Sequence, residues 1–286
     1  MTKRKKYLLA ASIVLTAVLW MLRIAVIEPA MLHITECTVA LDRLPPEHDG
    51  LVVAVIADLH LRRSSFTSGL LDRVTAELRE RRPDVVLLAG DYVDSRTPAS
   101  LLEVDRMGQL VTNWHGQYGT FAIAGNHDIY REAEGRWAFI AKTLRKGGVT
   151  VLDGGGAAVD IRGKPFQIAG CGDRTDAWFR MGCMPGFDRS LPVYGLIHQP
   201  VYLYSARNSF DMIFSAHTHR GQIRFPVFGE HACKIRFRTG WLGCGLRRHR
   251  NCVQFVTSGL GMSTYPLRWH NVPEIAFITL RRPVSR

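Results

Sequence analysis

No Cys-x-x-Cys pair occurs in this chain. Its six cysteines (Cys37, Cys171, Cys183, Cys233, Cys244, Cys252) are scattered, which argues against a structural zinc module. In an oxidising compartment Cys171 could pair with Cys183, and Cys233 with Cys244 or Cys252; buried free thiols account for the same residues equally well. There is also no Gly-x-x-x-x-Gly-Lys phosphate loop, so Gly154-Gly155-Gly156 reads as a turn. Internal repeats and low-complexity tracts are absent. Acidic residues are the scarcer charge, 25 against 37 Lys and Arg, for a formal net charge of +12. That balance favours anionic partners such as lipid headgroups or phosphate esters. No zinc-finger spacing, aromatic RNA-binding signature or basic heptad helix accompanies it, so nucleic acid is not an expected partner.

Long hydrophobic runs are scarce too, with one exception. After a basic tail at residues 1–6 (Lys3-Arg4-Lys5-Lys6), residues 7–27 are apolar apart from Arg23 and two hydroxyls. As a helix, this stretch covers roughly 30 Å, one hydrocarbon thickness. It is longer than the apolar region of a cleaved signal peptide, and no small-x-small cleavage site precedes Glu28-Pro29. The expectation is a single amino-terminal anchor in the cell membrane, a transmembrane or signal-anchor helix with the lipid bilayer as partner. The basic tail favours a cytoplasmic amino terminus and an outward body. An interfacial helix with the body in the cytoplasm uses the same residues, so the side stays open. Residues 28–49 read as a lead-in strand (33–41) and a linker rich in proline, and residues 50–286 as the globular domain.

Within that domain, Leu51–Ala57, Asp84–Ala89 and Gly119–Ala124 are apolar runs of the kind buried on both sheet faces. Helical patterns at 69–82 and 98–115 separate them, and another covers 134–146. This alternation predicts a parallel sheet. Short strands are expected at 157–161, 166–169, 193–197, 211–214, 253–257 and 275–280, with a long loop over 171–191. Metal-type residues stand just past the strands: Asp58-Leu59-His60, Gly90-Asp91, Gly125-Asn126-His127-Asp128, His198 and His217-Thr218-His219. Five of the eleven histidines fall there. An extended His-x-His would turn both imidazoles to one side, and sites of open α/β sheets lie at these strand ends.

The set resembles the calcineurin-like metallophosphoesterases over roughly residues 50–280. Gly90-Asp91-x-x-Asp94, Gly221-Gln222-Ile223-Arg224 and the tail Ser258-Gly259-Leu260-Gly261 … Pro266-Leu267-Arg268 … Pro273-Glu274-Ile275 match its YkuE-type membrane-associated phosphodiesterase branch. Two departures are Ala216 and Arg220, where the family usually has glycine. The resemblance implies an α/β fold, a β-sandwich of two mixed sheets flanked by helices. It also implies two divalent ions, Mn, Fe or Zn. Asp58, His60 and His219 would hold one, and Asn126, His198 and His217 the other, with Asp91 bridging. His127 would be general acid or transition-state stabiliser, oriented by Asp128. Arg220, Arg224 and Arg268 are candidate substrate contacts.

The activity so implied is hydrolysis of a phosphodiester or diphosphate P–O bond by metal-bound hydroxide. A lipid-linked substrate fits the anchor. UDP-2,3-diacylglucosamine, cleaved in lipid A biosynthesis by a pyrophosphatase of this family, is one instance, although that substrate lies on the cytoplasmic side. The alternatives are an extracytoplasmic phosphodiesterase or phosphatase of soluble or cell-wall esters, and a non-catalytic metal-binding scaffold. Residues 220–250 carry eight Lys or Arg and one acidic residue. They read either as a surface for headgroups or diphosphates or as a solvated loop. Trp241, Leu242 and Leu246 are a candidate wall for acyl chains or part of the core.

Overall fold

Two six-stranded sheets pack face to face in the computed structural model, which describes residues 2–61, 68–94, 101–129, 135–152, 154–172, 186–200, 208–224 and 244–283. The first sheet has the order β1 (His33–Ala40), β12 (Glu274–Arg281), β2 (Val52–Ile56), β3 (Val85–Leu88), β4 (Thr120–Ala122), β5 (Thr150–Val151). The second runs β10 (Gly245–His249), β11 (Cys252–Val256), β9 (Met212–Ser215), β8 (Val193–Ile197), β7 (Lys164–Cys171), β6 (Gly156–Ile161). Strands β2 to β5 are parallel, as the helix-separated runs predict. β12 enters antiparallel to β2, which makes this sheet mixed. The lead-in strand β1 pairs with β12 over all eight of its residues.

The period-2 geometry of β2 shows why its run is continuously apolar. Val53 and Val55 face the second sheet and pack in the layer containing Phe166, Tyr194, Phe214 and Phe255. Ala54 and Ile56 face outward, against α3 (Ser68–Arg81), α4 (Leu101–Val111) and α6 (Arg136–Lys146), through Leu71, Val74, Val104 and Ile140. Both faces are dry, so alternation cannot appear in the sequence. Asp84, just before β3, accepts from Val52 N at 2.8 Å and fixes where β2 starts.

Helix α1 (Lys3–Leu22) carries no buried residue. It continues through a π-helical turn (Arg23–Ile27) into the short α2 (Glu28–Ala30). Residues Lys3–Ala30 form one helix long and apolar enough to cross a membrane.

The basic segment differs from its linear reading. Arg247-Arg248-His249-Arg250 forms β10 and the hairpin turn to β11. Strand alternation turns Arg247 and Arg248 to opposite faces, and Arg248 donates to Ala40 O at 2.6 Å. Leu246 is exposed on this edge strand. The alternating stretch Lys234–Arg238, together with Trp241 and Leu242, lies outside the described residues, as do Cys183, Cys233 and most of the 171–191 loop. Cys252 is an unpaired buried thiol, so its pairing with Cys233 is not formed.

Candidate metal centre

All the candidate ligands stand at carboxyl ends of strands. The first sheet supplies Asp58 and His60 after β2, Asp91 after β3, and Asn126 after β4, at the start of α5 (Asn126–Ile129). The second supplies His198 after β8 and His217 and His219 after β9. The sandwich therefore brings five chain segments to one edge.

Their backbone is unusual. Asp58, His60, Asp91, His217 and His219 all have positive φ, between 42° and 70°. Residues with a Cβ avoid this region at a cost of about 1–2 kcal/mol each. This overturns the extended reading of His-x-His. Both imidazoles nonetheless reach the one cluster, His219 in the group of Asp58 and His60 and His217 in that of Asp91 and His198.

Asp58, His60 and His219 place one donor atom each within 4.8 Å of one another. His60 Nε2 and His219 Nε2 face each other at 3.0 Å. Asp91, His198 and His217 form a second group, their donor atoms likewise within 4.8 Å of one another. Asn126 Oδ1 joins it, 3.0 Å from His198 Nε2 and 2.8 Å from His217 Nδ1. Asp91 Oδ2 lies between the groups, 3.5 Å from His60 Nε2 and 3.3 Å from His198 Nε2. Its other oxygen accepts from His127 N at 2.8 Å.

These residues fit divalent metal. Two ring nitrogens aimed at one another need something positive between them, a proton or a cation. Asp58 Oδ1 is buried without a hydrogen-bond partner among the described residues. His198 Nδ1 lies 2.7 Å from the Ala89 carbonyl. A carbonyl only accepts, so Nδ1 carries a hydrogen, and it is Nε2 that points inward, free to offer its lone pair to a metal once its own proton is displaced. Imidazole and carboxylate together suit borderline first-row ions.

Electrostatics point the same way. Burial pushes the Asp58 carboxyl up to about 8, with His198 opposing and Asp91 adding to the rise. Asp91 is held below the usual carboxylate range: burial resists this, but His198, His60 and His127 outweigh it. Burial disfavours the charged form of His198, yet Asp91 and Asp58 carry the ring up to about 10. His217 falls to about 3 and His219 well below its ordinary value, through burial first and neighbouring imidazoles second. Below pH 8 the metal-free site therefore holds protons on Asp58 and His198 that a cation must displace. Manganese affinity should rise about tenfold per pH unit for each displaced proton. Titration at pH 6 and pH 8 checks this; equal affinities would contradict it.

His127 is half-buried. Its ring meets that of His60 edge-on at 4.6 Å, and its Nδ1 lies 3.8 Å from Asp94 Oδ1. Asp94, buried, is therefore the carboxylate that faces His127. Asp128 is not. Its oxygens accept from Asp91 N (2.8 Å), Tyr92 N (2.9 Å) and Gly125 N (2.8 Å). It shapes the loop that presents Asp91, so its role as orienter of the imidazole is corrected.

The three arginines part company. Arg220 sits in the turn His219–Gly221, with its own φ at 50°. Arg224 is half-buried and its N donates to Trp269 O at 2.9 Å. Arg268 is fully buried and donates to the carbonyls of Asn271 (3.1 Å), Ser258 (3.2 Å), Gly259 (2.9 Å) and Gly261 (2.6 Å). Its guanidinium is spent on these carbonyls, so it braces the tail.

That tail is the functional part that reasoning from strand ends misses. Gly261 N donates to Asp58 O at 2.6 Å. A Cβ on Gly261 would lie 2.1 Å from Leu59 O, and one on Gly259 2.6 Å from the Asp58 side chain. Asn271 Nδ2 donates to His219 O, and Glu274 Oε2 accepts from Ser258 N at 2.6 Å. The signal was present as the paired glycines, which allow contact closer than any side chain permits.

Donors of this kind, gathered where two mixed sheets meet, define a metal-dependent hydrolase. Comparison with known proteins narrows the class. The calcineurin-like phosphoesterase family profile matches residues 51–221. A metallophosphoesterase of Helicobacter pylori, uncharacterised, is 30% identical over 257 residues, 86% of this chain and 63% of that protein. YkuE of Bacillus subtilis, also an uncharacterised metallophosphoesterase, is 27% identical over 263 residues (89% and 87%). Phosphodiesterase YaeI of Escherichia coli is 28% identical over 229 residues (80% and 81%). The chain thus spans less than two thirds of the Helicobacter protein. It belongs to the calcineurin-like phosphoesterases, metal-dependent hydrolases of phosphoric esters.

Proposed function

We propose that the chain is a membrane-anchored phosphoesterase that hydrolyses a phosphodiester or diphosphate with two divalent ions, on a lipid-linked substrate. The observation that carries this reading is the pair of donor groups sharing Asp91. Asp58, His60 and His219 would hold one ion, and Asn126, His198 and His217 the other. Bound there, the ions would acidify water and neutralise phosphoryl oxygens. The attacking water would give up one proton to solvent as its oxygen bonds to phosphorus, the bond from phosphorus to the leaving oxygen would break, and that oxygen would take up a proton. His127, beside the cluster and facing Asp94, is the group placed to supply it.

The helix Lys3–Ala30 supports the anchor, and an anchored enzyme meets lipid-linked esters at high local concentration. Purified full-length protein with manganese should turn over bis-p-nitrophenyl phosphate and lose that turnover to a chelator. A fully loaded protein inert to mono- and diesters would leave only the scaffold. UDP-2,3-diacylglucosamine assayed beside soluble esters reads the substrate class.

His127→Ala should keep both metals and lower kcat by about 10²–10⁴-fold, the usual worth of a positioned acid. Metal analysis beside the turnover decides it. Lost metal would make His127 a ligand, which its grouping with His60 and Asp94 also allows.

A further inference from the structure

The anchor is not a free tether. Arg268 N donates to Ile24 O at 2.9 Å, and Trp20 meets Trp269 edge-on with ring centroids 5.6 Å apart. Ile24, Glu28 and Pro29 are buried against the domain, and Arg73 donates to Ala30 O. The last turns of the apolar helix thus sit on the segment Gly261–Asn271.

Both ends of this segment touch the metal centre. Gly261 holds the Asp58 carbonyl and Asn271 holds the His219 carbonyl. Between them, Gln222, three residues after His219, is stitched to Ser263 N (2.8 Å), Tyr265 O (2.7 Å) and Leu267 O (2.9 Å). The loop is therefore rigidly tied to the site. Its outer side shows Tyr265, 62% exposed, with Pro266 and His270 also exposed. Trp20 and the Arg23–Glu28 ion pair (2.8 Å) mark the end of the apolar helix. Tryptophan and tyrosine with an adjoining snorkelling arginine are what the bilayer interface selects.

We propose that Gly261–Asn271 and the end of α1 form one interfacial seat, holding the metal centre against the headgroups so that its substrate is a phosphodiester whose apolar part stays in the same leaflet. This rests on the hydrolytic reading above and adds to it a second membrane contact that fixes orientation. A lone flexible anchor would let the site face any direction; a docked helix with an aromatic loop beside it does not.

The test uses full-length protein in phosphatidylcholine liposomes and two probes that release the same p-nitrophenolate. One is soluble bis-p-nitrophenyl phosphate; the other is a diacylglycerol p-nitrophenyl phosphodiester carried in the liposomes. Tyr265→Asp changes an exposed side chain and spares the backbone bonds of the loop. Trp20→Ala loosens the helix without touching the centre. Each should lower hydrolysis of the liposomal probe at least ~10-fold, since a charge or a lost aromatic at the interface weakens seating. Turnover of the soluble probe should stay within about twofold. Unchanged liposomal hydrolysis in both variants, or equal losses on both probes, would overturn the seat. If the wild type cleaves only the soluble probe, the seat fails and the hydrolytic reading stands. If it cleaves neither with metal bound, both fall.

Discussion

Asp91→Asn is expected to reduce hydrolysis by at least ~10³-fold, about 4 kcal/mol of barrier, and to lower metal content. The substitution keeps shape and one acceptor oxygen, so Asn126 and His127 should stay in place through the bond from His127 N. What it removes is the charge between His60 Nε2 and His198 Nε2. A neutral amide would hold a pair of cations less well, because it would offset less of their mutual repulsion. Geometry makes this position hard to replace. Gly125 lies so close that a Cβ there would come 2.2 Å from Asp91 Oδ1, and Asp91 itself has φ 57°. Metal analysis and bis-p-nitrophenyl phosphate turnover on one preparation check the prediction. Full turnover with normal metal content would sink Asp91 as the shared carboxylate. Circular dichroism separates this from unfolding, because the loop itself is held by Asp128.

Much of this centre was legible in the sequence, for a physical reason. Buried strands announce themselves as apolar runs, and the residue after a run stands at the carboxyl end of a strand, where polar groups converge. Val52–Ile56, Val85–Leu88 and Val193–Ile197 follow that logic directly. Backbone conformation was not legible. His217 and His219 read as extended because nothing in the letters reports a positive φ on histidine; the surrounding hydrogen bonds impose it. Asp128 was misplaced for a related reason. Its neighbour in sequence is His127, but its partners in space are the amides of Asp91 and Tyr92. Periodicity locates elements; it does not say where a buried carboxylate spends its lone pairs. Arg247 and Arg248 made one basic patch on paper and two opposite strand faces in space.

Replacing Arg268 by methionine should destabilise the protein by about 3–5 kcal/mol, the cost of stripping partners from a buried, hydrogen-bonded charge site. Arginine is usually an exposed residue, and in a phosphoesterase a tail arginine invites a role on phosphate. Here burial lowers its guanidinium only to about 10, with Asp58 and Glu274 opposing the fall, so it remains a cation at neutral pH. Its fork serves four carbonyls across Ser258–Asn271. Methionine fills the volume but leaves those carbonyls unserved, and Asp58 loses a compensating charge behind it. Arg268→Lys should recover little, because a single ammonium cannot reproduce the planar fork. At about 2–4 °C per kcal/mol for a domain of this size, Tm should fall by roughly 6–20 °C. Surviving folded enzyme should show weaker metal binding with KM for a soluble diester little changed. The opposite pattern, intact stability with a raised KM, would return Arg268 to the substrate and remove the brace between the amino-terminal apolar helix and the ligand cluster.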